Sequence, residues 1–490
     1  MTQMSENLRL LVAELVRELG RDAVLTEPAA LRAYDCDGLT SHRATPAVVV
    51  LAADGDAIAT AVAACARHRI PFVARGSGTG LSGGATPRTD GVLIVASRLR
   101  SILRIDPENR RAVVQPGVVN AAVTKAAAPH GLYFAPDPSS QQVCSIGGNV
   151  AENSGGAHCL KYGFTTNHVT GLEVVLPDGA QVRLGGAAAE YPGYDLVGAF
   201  VGSEGTLGVV TEVTLRLLRA PEAVETLMAA FASTDAAGVA VSQIIARGVV
   251  PAAVEMMDAL AMQAVEATVG NRYPEGAGAV LIVEVDGQAA DVEHQFTEVR
   301  RICAETGAFD IYVAADALER AAIWKGRKSA FAAVGRISAD YYVQDGVVPR
   351  TALPATLTRI AELAAEAGLR VANVFHAGDG NLHPLVLYDG GVLGEAERAE
   401  RLATAIVELC VEQGGSITGE HGVGLDKKDS MPKMFSADDL DTMQRLRDVF
   451  DPERLCNPGK VFPTPRLCGE APGPRRGVHP LVESGVAELF

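Results

Sequence analysis

Of the ten histidines in this 490-residue chain, His376 and His383 flank a turn in a way that could chelate a metal. Val371 to His376 reads as a strand, Gly378-Asp379-Gly380-Asn381 as a turn, and Leu382 to Leu387 as the returning strand. Centring the turn on Asp379-Gly380 makes Gly378 oppose Asn381, Ala377 oppose Leu382 and His376 oppose His383. Both imidazoles then face one side of the hairpin, with Cβ atoms about 5 Å apart. Two histidines are too few for a site, and a carboxylate is the best third ligand by chemistry. Glu420, in Ser416-Ile-Thr-Gly-Glu-His-Gly-Val-Gly424, offers one at another glycine-flanked strand end, with His421 beside it. On the residues alone, a stacked polar pair of histidines and a solvated Glu420 explain the pattern equally well. Arg327 and Lys328 share a helix with Trp324, and Arg350 follows Pro349; most helical arginines are simply solvated.

The second chemical signal is glycine, 51 residues against an average near 7%, concentrated in a few stretches. Gly78-x-Gly80-x-x-Gly83 matches the dinucleotide fingerprint by letter but not by context. Pro87 and a strand follow where a helix should open, and Arg98 occupies the acidic place about 20 positions on. What remains is a strand running into a loop whose successive amides can turn toward one anion, with Ser77, Thr79 and Ser82 as further donors. Pro136-Asp-Pro-Ser-Ser140, Cys144-Ser-Ile-Gly-Gly-Asn149, Asn153-Ser-Gly-Gly156 and Gly202-Ser-Glu-Gly-Thr-Leu-Gly208 repeat the same small, permissive texture. Together they suggest a long diphosphate ligand threading one domain.

These segments need a scaffold. Leu8, Leu11, Val12, Leu15, Val16 and Leu19 follow helical spacing within an amino-terminal segment, 1–44. From 45 to 220 short strands dominate, including Ala47 to Leu51, Pro71 to Ala74 and Val92 to Ala96, with hairpins turning at Pro107-Glu108-Asn109 and Pro177-Asp178-Gly179. After Ala220 the elements lengthen. Strand Glu225 to Phe231, helix Thr234 to Ala246, strands Ala253 to Met257 and Val280 to Val285, helix Ala290 to Thr306 and strand Phe309 to Val313 follow the β-α-β-β-α-β order of a ferredoxin-like unit. A long helix, Ala317 to Val334, leads into the rest of a 221–465 domain, and a tail, 466–490, reads as weakly ordered.

Composition excludes several functions. A net charge of −16 repels phosphate backbones, which argues against a nucleic-acid partner. No apolar run approaches the ~18 residues of a membrane span. Eight cysteines without a CxxC pair or a secretory signal point to reduced thiols in a cytoplasm and to any iron-sulfur cluster residing on a partner.

With those residues assembled, the chain resembles the FAD-binding D-subunit family of bacterial glycolate oxidases, flavoproteins of the vanillyl-alcohol-oxidase type that are related to D-lactate and D-2-hydroxyglutarate dehydrogenases. The resemblance runs from about Tyr34 to Pro463. It rests on Cys36-Asp-Gly-Leu, Arg75-Gly-Ser-Gly-Thr-Gly-Leu-Ser-Gly-Gly84, Ala135-Pro-Asp-Pro-Ser-Ser140, Cys144 to Asn153, His158-Cys-Leu-Lys-Tyr-Gly163, Gly202-Ser-Glu-Gly205, His376-Ala-Gly-Asp-Gly-Asn381, Gly419-Glu-His-Gly422 and Asn457-Pro-Gly-Lys460.

The resemblance implies an α+β, two-domain fold with a ferredoxin-like cap and FAD in the amino-terminal domain. The implied contacts are Arg75, Gly76, Ser77, Gly78, Thr79, Gly80, Leu81 and Ser82 near the diphosphate, then Pro136, Asp137, Ser139 and Ser140. Ser145, Gly147, Gly148, Asn149, Asn153, Gly155, Gly156, Glu204, Gly205, Val209 and Asn457 follow along the cofactor. It further implies a divalent metal (zinc, manganese or iron) on His376, His383 and Glu420, His421 as base, and Arg327, aided by Arg350, on the substrate carboxylate. The activity implied is oxidation of a small 2-hydroxy acid, glycolate or D-lactate, by hydride transfer to flavin. The loop from Arg75 to Ala85 lacks the histidine of relatives with covalent flavin, so noncovalent FAD is expected. Electrons would pass to a second FAD-domain subunit and an iron-sulfur subunit, with the chain cytoplasmic and peripheral at the inner membrane through those partners. Competing readings are a stand-alone D-2-hydroxy acid dehydrogenase, a noncatalytic FAD relay subunit, and a colourless metal-dependent hydrolase.

Overall fold

The computed structural model describes residues 5–188, 193–270 and 273–463, and three sheets carry most of its architecture. Helix α1 (Glu6–Leu19), capped by Ser5, buries Leu8, Leu11 and Leu15 against helix α2 (Gly55–His68). Beneath them lie β1 (Val24–Leu25), β2 (Val48–Leu51), β3 (Phe72–Arg75) and β4 (Val92–Val95), in the order β1-β2-β4-β3. The last three are parallel, and the Val, Leu and Ile runs of β2 and β4 are buried on both faces, as such sheets require. The amino-terminal segment is thus built into this sheet through β1.

The second sheet is antiparallel. It contains β5 (Ile102–Asp106), β6 (Arg111–Val114), β7 (Val169–Val175), β8 (Gln181–Gly185) and β9 (Val209–Arg216), in the order β5-β6-β9-β7-β8. Both hairpins turn where the Pro-Glu-Asn and Pro-Asp-Gly signals lie. Helices α3 (Asn120–Ala127) and α4 (Ile146–Glu152) lead the glycine-rich segments between the sheets.

The cap opens with β10 (Ala223–Phe231), α5 (Thr234–Ala246), β11 (Ala253–Asp258), α6 (Ala259–Val269), β12 (Ala279–Gly287), α7 (Ala289–Glu305) and β13 (Asp310–Val313). The strands run antiparallel in the order β13-β10-β12-β11, the ferredoxin-like arrangement. Helix α6 was not anticipated. Its sequence is apolar almost all round, so no period marks it, yet Asp258 caps it by accepting the Ala261 amide at 2.9 Å.

The cap continues with α8 (Ala317–Val334), β14 (Asp340–Val343), β15 (Gly346–Val347), α9 (Leu353–Ala367), β16 (Arg370–His376), β17 (Asn381–Leu382), β18 (Pro384–Tyr388) and α10 (Glu395–Glu412). Strand β16 adds to the free edge of β11 and extends the sheet to nine strands.

The hairpin register differs from the one expected. His376 pairs with Asn381 and Asn373 with Pro384, which centres the turn on Gly378-Asp379 and sets His383 opposite Val374. The offset moves the partner by two residues. Side chains alternate with a period of two, so both imidazoles still share a face, as a diagonal pair with ring centres 5.1 Å apart.

The chain then returns to the first domain. After helix α11 (Ala437–Phe450), whose Phe450 packs edge-on against Phe200, Cys456 bridges to Phe72 on the outer edge of β3. The 450–461 stretch, expected within the second domain, therefore completes the first, because β3 is an edge strand with donors and acceptors to satisfy. The tail 466–490 lies outside the described residues.

Candidate active site

One cavity of about 650 Å³ runs between the two domains. Its lining includes the loop from Arg75 to Leu81 and the cluster residues His383, Glu420 and His421. Ser139, Ser140, Ser145, Gly147, Gly148, Asn149, Glu204, Gly205 and Val209 also line it. The loop lies close: a Cβ on Gly76 would overlap the Ser145 hydroxyl oxygen, which accepts the Ser77 amide at 3.2 Å. Gly78 takes a left-handed φ of 71° at the bend. This bare backbone between two domains suits a long diphosphate cofactor.

Other expected cofactor residues do not line the cavity. The Ser82 hydroxyl is buried and accepts the Gly84 amide. Asp137 pairs with His158 at 2.9 Å. Asn153 accepts from Thr166, and Asn457 donates to the carbonyls of Gly84 and Glu204 at 3.1 and 2.6 Å. Pro136, Gly155 and Gly156 also lie behind the wall. These residues shape the cavity from outside, because small polar side chains serve turns as readily as ligands. Glu204 lines the cavity, but its carboxylate is turned to the loop after His421.

In the cluster, the His376 Nε2 and the His383 Nε2 lie 3.2 and 3.3 Å from Glu420 Oε1. Both histidines and Glu420 are buried, and their ligand atoms all fall within 4.8 Å of one another. Neither ring nitrogen of His383 nor Glu420 Oε2 has a hydrogen-bond partner. Two imidazoles and a carboxylate with orphaned acceptor atoms converging on one point match the donor set of a divalent cation. Burial raises the Glu420 carboxyl, but its bonds to His376 and His383 hold it far below the usual carboxylate range.

Behind this cluster stand acids that the sequence reading missed. Glu255, paired across β11–β16 with His376, accepts from its Nδ1 at 2.7 Å and thereby orients Nε2 toward the cluster. Its other oxygen meets Arg327 Nη2 at 2.6 Å, and Arg327 is only 2% exposed, with Nε lacking a partner. Asp345, fully buried, lies 3.5 Å from His383 Nε2 and 3.3 Å from Lys427 Nζ. For Glu255 the signal was a charge inside an otherwise apolar strand, which must find a partner when buried; Asp345, in the Gln-Asp link between β14 and β15, carried no such signal. Arg350 is not brought to the cluster. It donates to the Gly378 carbonyl at 3.2 Å and braces the hairpin turn from outside the cavity.

His421 stacks on His383. Burial lowers its imidazole, Asp345 pulls against that, and His383 and Lys427 push it lower still, to about 4. It is therefore a neutral base at physiological pH, lower than the near-unperturbed value expected.

Residues 46–185 match the FAD binding domain family, and residues 220–461 match the FAD linked oxidases, C-terminal domain. The chain is 52% identical over 437 residues to the glycolate oxidase subunit GlcD of Escherichia coli strain K12, covering 89% of this chain and 88% of that one. The chain belongs to the FAD-linked oxidase family. A D-lactate dehydrogenase of Anaerostipes hadrus is 33% identical, over 86% of this chain and 90% of its own. In fold, p-cresol methylhydroxylase superposes with a TM-score of 0.78 at 17% identity, covering 94% of this chain and 97% of that one. This FAD-linked oxidase thus has the two-domain α+β fold of the vanillyl-alcohol-oxidase type, and it is an oxidoreductase that uses FAD. Among its described residues, no helix is long and apolar enough to cross a membrane.

Proposed function

We propose that this FAD-linked oxidase oxidises glycolate to glyoxylate, with D-lactate as the related alternative substrate. The observation that carries this reading is the single cavity joining the anion loop to the His376, His383, Glu420 and His421 cluster. The similarity to glycolate oxidase subunits and, at lower identity, to D-lactate dehydrogenases supports a small 2-hydroxy acid.

FAD would supply the two-electron acceptor, and His376, His383 and Glu420 would hold a divalent cation, which would supply Lewis-acid chemistry. Arg327, paired with Glu255 and with Nε unpartnered, is the cation assigned to the substrate carboxylate, although it is not itself among the residues that line the cavity. His421, neutral beside the cluster, takes the hydroxyl proton as the C2 hydrogen departs with its electron pair, leaving a 2-oxo acid.

Noncovalent FAD is supported because the loop from Arg75 to Ala85 has no histidine or cysteine, and His158 is engaged by Asp137 and Glu284 in a separate cavity. The similar Escherichia coli protein is a subunit of a glycolate oxidase. That supports electron exit through partners, a second FAD-domain subunit and an iron-sulfur subunit, which would also account for a cytoplasmic chain peripheral to the inner membrane. The deciding experiment is the visible spectrum of the purified protein before and after anaerobic glycolate or D-lactate. Bleaching by either acid is expected; a yellow protein that neither acid bleaches, with metal bound and partners added, would overturn the assignment in favour of a relay subunit.

A further inference from the structure

The loop that carries His421 has a row of six consecutive backbone amides, Gly419 to Gly424, and every one is accepted by a side chain. Asp345 of the cap takes those of Gly419, Glu420 and His421 at 3.0, 3.2 and 2.8 Å. The Thr418 hydroxyl takes that of Gly422 at 3.0 Å and itself donates to Asp345. Glu204, from the other domain, takes those of Val423 and Gly424 at 2.6 and 2.7 Å, one on each carboxylate oxygen.

Bonds from buried amides to a carboxylate are short and charge-assisted, and a loop with all its donors committed has little freedom left. Glu204 is itself fixed. It takes a left-handed φ of 51°, and its carbonyl accepts from Asn457 at 2.6 Å. Its neighbours Ser203 and Gly205 line the cofactor cavity, so one short segment touches both the cofactor space and the loop of the base. The fit is close: a side chain on Gly422, where φ is 85°, would run into the carboxylates of both Glu152 and Glu204.

We propose that Glu204 is a positioning residue. Its carboxylate fastens the Val423–Gly424 backbone to the FAD domain and so sets the His421 imidazole relative to the cofactor, with Asp345 as its counterpart on the cap. The inference rests on the role of His421 given above.

The test uses the FAD-loaded full chain and the isosteric variant Glu204→Gln, whose amide can accept from one of the two donors and confronts the other with an N–H. Stopped-flow flavin reduction by glycolate and D-lactate separates the limiting rate from the substrate Kd. The expected result is retained FAD, a Kd within about threefold of wild type, and a limiting rate lower by about tenfold or more, the scale of one lost charge-assisted bond. Hydrogen exchange at the Val423 and Gly424 amides should accelerate by a similar factor while Gly419 to His421 stay protected. A wild-type limiting rate overturns the proposal. So does parallel loss of FAD, substrate affinity and rate, which would make Glu204 a cofactor or folding residue. If neither acid reduces the wild-type flavin, the functional reading fails, and the exchange measurement still judges the clamp: unaltered exchange at Val423 and Gly424 overturns it.

Discussion

The imidazoles of His383 and His421 lie parallel, with ring centres 5.0 Å apart and planes 4° from coincident. His383 belongs to the hairpin and His421 to the loop after Glu420, so the stack joins the candidate metal ligands to the candidate base. Burial above all, with the neighbouring His383 and Lys427, keeps His421 neutral.

The pH dependence of flavin reduction follows from this. A base lowered to about 4 is unprotonated throughout the neutral range, so activity is lost only as pH falls through that value. The limiting rate should be flat from about pH 5.5 to 8 and fall on the acid side around pH 4. A limb centred near 6.5 would show an imidazole in a solvent-like environment and contradict the burial seen here.

His421→Ala should slow the limiting rate of flavin reduction by roughly 10²- to 10⁴-fold, the usual worth of a positioned base, with little change in substrate Kd. Rapid-mixing absorbance at the flavin band checks this. An unchanged rate would remove His421 from the chemistry.

Replacing any of His376, His383 or Glu420 with alanine, or exposing the protein to a strong chelator, should abolish bound divalent metal and substrate-driven bleaching while leaving FAD in place. Metal content by elemental analysis and the ratio of flavin to protein absorbance separate the two effects. Metal retained at wild-type stoichiometry in all three variants would place it elsewhere.

Glu255 is buried between Arg327 and His376. Glu255→Gln leaves the guanidinium without its counter-ion and should cost about 3–5 kcal/mol of stability, measurable by urea unfolding. A loss below about 1 kcal/mol would mean that the pair is not isolated from water.

At the domain seam, His158 lies between Asp137 at 2.9 Å and Glu284 at 3.2 Å. Burial lowers its imidazole, but the two acids outweigh that and raise it well above 6.5. A group raised in the folded state contributes fully below its unfolded value near 6.5, and that contribution is lost as pH rises through the folded value. His158→Gln should therefore cost about 3 kcal/mol at pH 6, and the gap from wild type should narrow in alkali. A gap that widens with pH would show His158 to be neutral.

Much of this was legible in the sequence because period and punctuation agree. The Ala317–Val334 helix and the Pro107 and Pro177 turns form where spacing and proline placed them. The face shared by His376 and His383 was legible although their register was not, since an even offset preserves which side a strand residue points to. Glu255 and Asp345 were not legible as partners. Each acts across strands or loops distant in sequence; Glu255, a lone acid in an apolar strand, says only that a partner exists, and Asp345, in a short polar link, does not say even that. Arg350 and Asn457 show the converse, polar residues near glycine turns that brace the walls rather than face the cavity.

The bridge between Phe72 and Cys456 bears on biosynthesis. The strand that leads into the anion loop has its outer edge paired with a segment made more than three hundred residues later. Lys460, which ties down the Gly84 and Thr86 carbonyls at 2.9 and 2.8 Å, comes later still. Until the 456–460 segment has been made, the edge of β3 and the Gly84 and Thr86 carbonyls lack the partners that hold the anion loop from behind.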